Sequence, residues 1–150
     1  MVQAELELIA KGQDAVPILE SLLSGEAKND LGIPYRDLGL PLRCALEIIS
    51  RLGPTARAVE PLVRQELRAG HFAAAQALSS FESVQEDSII ELAAHLGQGG
   101  DIGWESAAAI LQLGVESHPA VRAVIEGSRQ AAKELSRVKS QIEGKAHGKA

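Results

Sequence analysis

Apolar side chains recur at the three- and four-residue spacing of a helix in almost every segment bounded by glycine or proline. The segment 14–25 is typical. Asp14 can cap a helix, Pro17 falls in its first turn and Gly25 follows its last apolar position. The apolar stripe of this segment consists of Ile18, Leu19, Leu22 and Leu23. The pattern predicts an all-α protein without a β-sheet.

The predicted helices form antiparallel pairs of similar length. Four pairs are expected, at about 2–24, 41–69, 71–97 and 103–143. Corresponding apolar positions indicate a repeat, because Leu46, Leu78 and Ile110 follow one another at intervals of 32 residues. A helix pair of this size cannot bury its apolar face alone, so the pairs must stack to share a core. We therefore expect a single helical repeat domain over residues 1–143.

The segment 25–40 interrupts the repeat, with no helical period, three glycines and a proline. Loops often carry function, and Tyr and Arg are enriched where binding energy concentrates. We therefore predict that Tyr35, Arg36 and Asp37 bind a partner, and that replacing Tyr35 and Arg36 by Ala weakens binding without lowering stability. The alternative is a lid over the first helix pair, made by Leu31, Ile33, Leu38 and Leu40. The two roles can coexist.

The final helix is predicted to run without a break from about 119 to 143, which makes it the longest in the chain. Beyond residue 130 its apolar positions are Leu135, Val138 and Ile142, at the spacing of a helix–helix seam. These side chains are expected either to fold back as a cap or to contact a second copy of the chain. Residues 144–150 are expected to be disordered.

Several short motifs resemble a HEAT or HEAT-like repeat. The segment LRCAL at 42–46, the turn LGP at 52–54 and AVEPL at 58–62 match the first helix, the turn and the second helix of such a unit. The segment DAVPIL at 14–19 repeats the opening of the second helix. The resemblance is clearest over 14–69, and it implies a right-handed α-solenoid that works as a scaffold or adaptor, with no catalytic residues to carry over.

Composition narrows the class further. Apolar residues make up 45% of the chain but aromatic residues only 3%, which favours helices over a sandwich or barrel. The net charge of −5 argues against a nucleic-acid binder.

No apolar run approaches about 20 residues, and Glu5 and Glu7 stand where a signal peptide needs positive charge, so we expect no membrane association and a cytoplasmic location. The single cysteine, Cys44, is expected to be structural.

The sequence contains no motif for enzyme chemistry. It has no phosphate-binding glycine fingerprint, no cysteine pair for zinc, no Gly-x-Ser-x-Gly turn and no His-Glu-x-x-His segment. We therefore expect no catalytic, cofactor or metal site. The alternative is an enzyme or enzyme-assisting protein of the lyase-associated HEAT-like type, and a second alternative is a nucleic-acid binder.

The second helices of stacked pairs usually line a concave surface, so their polar residues are candidates for binding. These candidates are Arg57, Arg64, Arg68, Glu91, His95, Arg122 and Glu126. Their mixed charge favours another protein or a peptide as partner, and a bacterial inhibitor or immunity protein is a narrower version of this hypothesis. The alternative is a solvated surface on which the arginines pair with Glu47, Glu60 and Glu66.

Overall fold

The computed structural model describes residues 3–148, with side chains described up to Lys145. Nine α-helices and no strand occur in this part of the chain, which confirms the predicted all-α class there. The helices are α1 (Gln3–Lys11), α2 (Val16–Ser24), α3 (Gly39–Leu52), α4 (Glu60–Arg68), α5 (Phe72–Ser79), α6 (Glu86–Ala94), α7 (Gly100–Leu113), α8 (Pro119–Gly127) and α9 (Arg129–Gly148). Short 3₁₀ turns span Gly12–Ala15, Tyr35–Asp37 and Gly53–Val59.

Helices that are two apart in the chain contact one another. The odd-numbered helices touch in order from α1 to α9, and the even-numbered helices touch in order from α2 to α8. In addition, α4 contacts α5 and α6 contacts α7, so the second helix of one predicted pair touches the first helix of the next. The apolar faces of neighbouring pairs therefore share one core.

The 32-residue register of the sequence is found in this core. Leu46, Leu78 and Ile110 are each 1% exposed or less, on α3, α5 and α7. Phe81, just after α5, is fully buried and is the largest side chain at the centre. Equivalent positions of successive odd-numbered helices thus build successive layers of the same core.

The predicted continuous final helix is wrong, because the chain breaks at Ser128. Gly127 ends α8, and Ser128 adopts an extended conformation with φ −142° and ψ 114°. The Ser128 hydroxyl then accepts a hydrogen bond from the Ala131 amide at 3.2 Å. Glycine is a poor helix former and serine is a favoured cap, so this dipeptide ends one helix and begins another.

The break lets α9 turn back onto α7 and α8. Val138 is fully buried and Leu135 is 8% exposed. These two side chains therefore pack against the rest of the chain as the predicted cap requires, and they are not free for self-association. Ile142 is 45% exposed. Helix α9 continues to Gly148, where the sequence predicted a disordered segment from residue 144. The rest of that predicted tail, residues 149 and 150, lies outside the described residues.

The contact between α9 and the α6–α7 connection is close. The Glu134 carboxylate accepts a hydrogen bond from the Gly97 amide at 2.7 Å. A Cβ on Gly103 would lie 2.5 Å from a Glu134 carboxylate oxygen, and one on Gly97 would lie 2.9 Å from the Ala131 nitrogen. The backbone contact at Gly97, where φ is +86°, therefore requires glycine, whereas a side chain at Gly103 would displace the Glu134 carboxylate.

Candidate functional site

The 25–40 loop is ordered by its own backbone hydrogen bonds. The Tyr35 amide donates to the Ala27 carbonyl at 3.0 Å, and the Asn29 amide donates to the Ile33 carbonyl at 2.9 Å. Between them, Lys28 and Pro34 form a single antiparallel bridge. The segment therefore forms a short hairpin-like turn, although its sequence shows neither a helical nor a strand period.

The Asn29 side chain stabilises the tip of this hairpin-like turn. Its side-chain oxygen accepts hydrogen bonds from the Leu31 amide at 2.9 Å and from the Ile33 amide at 3.0 Å. Gly32 has a φ of +77°, a conformation that favours glycine. Asn29, Asp30 and Gly32 are typical turn residues, so the local sequence did contain the signal for this turn.

The Arg36 side chain anchors the loop to the helices. Its Nη1 donates to the Leu23 carbonyl at the end of α2 at 2.7 Å, and its Nη2 lies 2.6 Å from Oε1 of Glu66 on α4. The Arg36 side chain is 29% exposed, while that of Glu66 is fully buried. Arg36 is thus engaged in contacts within the chain, and its role in partner binding stays a prediction. Asp37, at 61% exposure, lies 3.7 Å from the Arg36 Nε.

Glu66 connects three parts of the protein. It belongs to α4, its Oε1 faces Arg36 of the loop, and its Oε2 lies 3.7 Å from Nε2 of His71, the residue just before α5. A carboxylate taken out of water is costly unless a cation stands beside it, and Arg36 is that cation. The buried Glu66 carboxylate therefore needs the Arg36 cation beside it, and this requirement fixes the position of the loop.

Anchoring by Arg36 leaves large apolar side chains of the loop in solvent. Leu31 is 83% exposed, Leu40 71%, Ile33 39% and Tyr35 37%. We call these four residues the apolar strip. They are half of the eight large exposed hydrophobic residues found among the described side chains. The predicted lid is therefore wrong for Leu31, Ile33 and Leu40, whereas Leu38 is half-buried.

The three candidate arginines near α4 form contacts to the following helices. Arg57 donates to the Phe81 carbonyl at 2.7 Å. Arg64 donates to the side chains of Gln85 and Ser88, each at 3.1 Å. Arg68 pairs with Glu91 of α6 at 2.8 Å and is itself 70% exposed. These side chains connect neighbouring units. Arg64 also lies 3.9 Å from Glu60, a pairing that the sequence predicted, whereas the contacts to Phe81, Gln85 and Ser88 were missed.

Glu60 is a buried carboxylate, whereas the alternative interpretation of the sequence placed it on a solvated surface. It is 1% exposed, and its Oε2 accepts hydrogen bonds from the Gln85 amide at 2.7 Å and from the Ser88 hydroxyl at 2.6 Å. It caps the start of α6 from a different helix. Glu60 and Glu66 fall on the same face of α4 as Val63, and that helical spacing was the available signal.

The remaining candidates lie on α6, at its C-cap and on α8. His95 is largely buried, with its Nε2 3.5 Å from Glu91 and its Nδ1 3.1 Å from Gln98. Arg122 and Glu126 are a pair one turn apart on α8 at 3.8 Å, both well exposed. The structure thus brings Arg68, Glu91 and His95 together across α4 and α6, but it leaves the α8 pair apart from them.

A groove between α2 and α4 reaches the base of the loop. Its volume is about 380 Å³, and Glu26 of the loop lines one part of it. The other lining residues include Pro17, Glu20, Pro61 and Leu62. Neither Glu20 nor Glu26 forms an ion pair with a described side chain, so this groove carries uncompensated negative charge.

Cys44 is half-buried on α3. Burial raises the pKa of its thiol above the ordinary value, and the hydrogen bond and negative charge of Glu5 raise this pKa further, followed by the charge of Glu47. Arg43 acts in the opposite direction. Since the thiolate is the nucleophile, these neighbours suppress the reactivity of Cys44.

In residues 3–148, no helix is both long enough and apolar enough to span a bilayer. The described His, Cys, Asp and Glu side chains form no group of three that could hold a metal ion. No family model matches the chain, and neither a curated protein nor a solved structure matches it. Any function must therefore be argued from the surfaces described above.

Proposed function

We propose that this protein is a protein-interaction module that binds a partner through the apolar strip of the 25–40 loop. The observation that carries the proposal is the combination of a buried anchor with an exposed apolar surface. Arg36 and Asn29 hold the loop in one conformation, so Leu31 and Ile33 reach solvent without freedom to collapse onto the core. A surface ordered before binding loses less conformational entropy when the partner arrives.

The scaffold that we propose is a right-handed α-solenoid of HEAT-like helix pairs. Contacts between helices two apart in the chain support it, as does the burial of Leu46, Leu78 and Ile110 at a 32-residue interval. In such a scaffold α2, α4 and α6 share one face. The groove between α2 and α4 then continues the binding surface from the base of the loop.

The partner in this proposal is another protein or peptide with an apolar patch and a basic edge. The apolar patch would cover Leu31, Ile33 and Tyr35, and the basic edge would face Glu20 and Glu26. Complementary charge at the edge orients the partner, whereas burial of the apolar strip provides most of the affinity. Polyanions are disfavoured because the groove itself is acidic.

Site-specific photo-cross-linking in the native host tests this proposal. A benzoylphenylalanine at Leu31 should yield one discrete protein adduct, and the same group at Ile142, an exposed apolar residue on α9, should not. With the adduct protein purified, the double variant Leu31→Ser/Ile33→Ser should weaken binding by about 2 kcal/mol, about thirty-fold in Kd.

The matched control for the double variant is Ile142→Ser, which removes an exposed isoleucine far along the chain from the loop. It should leave the Kd unchanged. Adducts at position 142 but not at position 31, or equal losses of affinity in the two variants, would contradict the proposal.

A further inference from the structure

A half-open cavity of about 230 Å³ lies between the N-terminal halves of α3 and α5. Its apolar walls are formed by Leu42, Leu46, Phe72 and Ala73. Leu42 and Leu46 are buried residues of the core, so the cavity reaches down to the layer that joins the two helices. Arg43 and His71 stand among the lining residues as its polar groups. The walls of the cavity are thus mostly apolar, and Arg43 and His71 are its polar side chains.

Arg43 is the main charge at this cavity. It is exposed, and it forms no ion pair with the side chains described in residues 3–145. Glu47, one turn further along α3, does not line this cavity, although it lines the adjoining space together with Arg43. The guanidinium is therefore available to a ligand that enters between the helices.

The other nearby groups do not cancel the charge of Arg43. His71 lies 3.7 Å from the Glu66 carboxylate, which is already paired with Arg36 at 2.6 Å. In addition, Gly39 and Phe72, the first residues of α3 and α5, both line the cavity, so the positive ends of two helix dipoles lie beside it. The Arg43 guanidinium and the two helix N-termini therefore favour an anion over a cation.

We propose that this cavity binds a small amphipathic anion, with a carboxylate on Arg43 and a short apolar chain between α3 and α5. Arg presents a planar fork that matches the two oxygens of a carboxylate. Burial of the apolar chain against Leu46 and Phe72 provides the favourable transfer free energy. This site does not depend on the protein-binding proposal, because Leu31, Ile33 and Tyr35 are not among its lining residues.

The test uses hexanoate as the probe and hexanol as its neutral counterpart, with the full chain followed by amide chemical shifts. Hexanoate should shift the Leu46 and Ala73 amides saturably, with a Kd about ten-fold lower than that of hexanol because only hexanoate forms the charge-assisted hydrogen bonds. Arg43→Gln should remove this ten-fold preference and leave hexanol binding unchanged. Added salt should weaken hexanoate binding and not hexanol binding.

Arg51→Gln is the matched control, since Arg51 is an exposed arginine on the same helix outside the cavity. It should retain the preference for hexanoate, and Leu31→Ser should retain it as well. Ala73→Leu, which places a larger side chain in the wall, should abolish the binding of both probes. Equal Kd values for hexanoate and hexanol, equal effects of the two arginine variants, or shifts confined to residues 31–38 would overturn the proposal.

Discussion

The Arg36 guanidinium lies 2.6 Å from the Glu66 carboxylate, although 30 residues separate them in sequence. Glu66 is fully buried on α4, and Arg36 belongs to a loop in which most of the other side chains are exposed. The loop is therefore part of the folded core at one residue and part of the surface at most others. Its anchor and its proposed binding residues can be changed separately.

Arg36→Ala should lower stability, because it leaves the Glu66 carboxylate buried without its cation. Breaking a buried pair costs about 3–5 kcal/mol, and the partial exposure of Arg36 reduces the expected loss to about 2 kcal/mol. Urea unfolding followed by circular dichroism measures this loss. Arg51→Ala, at an exposed arginine with no described ion pair, should change stability by less than about 0.5 kcal/mol. Equal effects would show that the pair contributes nothing.

Glu60→Ala should destabilise the protein by about 2 kcal/mol, because the Gln85 amide and the Ser88 hydroxyl both lose their acceptor. Thermal unfolding measures the change. Glu20→Ala on α2 is the control, since Glu20 is exposed and has no described ion pair. If both variants unfold at the same temperature, the capping role of Glu60 is wrong.

Gly103→Ala should loosen the contact of α9, because the new Cβ would lie 2.5 Å from the Glu134 carboxylate. The carboxylate must then give up its hydrogen bond with the Gly97 amide, and we expect a net loss of about 1 kcal/mol after the gain in helix propensity. Gly144→Ala is the matched control, as no atom lies within 4 Å of the added Cβ and alanine favours the helix. A stability gain in both variants would contradict the close approach of α9.

Cys44 should react slowly with iodoacetamide at pH 8, because burial and Glu5 raise the pKa of its thiol and keep it protonated. Glu5→Gln removes one negative charge, so the pKa should fall and the alkylation rate should rise. The measurement is the rate of alkylation by mass spectrometry as a function of pH. Glu7→Gln on the same helix should not change the rate, and an equal increase in both variants would argue against a specific effect of Glu5.

The helices and their register could be predicted because both depend on local spacing. The apolar positions of α3, α5 and α7 already indicated which faces would be buried, and Leu46 and Ile110 occupy those faces. The break between α8 and α9 was also visible locally, as glycine followed by serine at 127–128. The regular apolar spacing across these two residues favours a continuous helix, but their low helix propensity prevails.

The candidate site could be predicted only in part, since its contacts join distant segments. Tyr35 is on the exposed strip as expected, but Arg36 turns inward because Glu66 needs a cation. Nothing in the loop sequence specifies that partner. The same holds for Arg57, whose acceptor is the backbone carbonyl of Phe81 and has no sequence signature.

The contacts that pass from α4 to the next unit affect how the protein opens. The first turn of α6 depends on the Glu60 carboxylate and the Arg64 guanidinium, both of which belong to α4. Once α4 loses its helical structure, α6 loses its cap and leaves Gln85 and Ser88 without partners. These two helices should therefore exchange their amide hydrogens through one shared opening event, as a single cooperative unit and not as separate repeats.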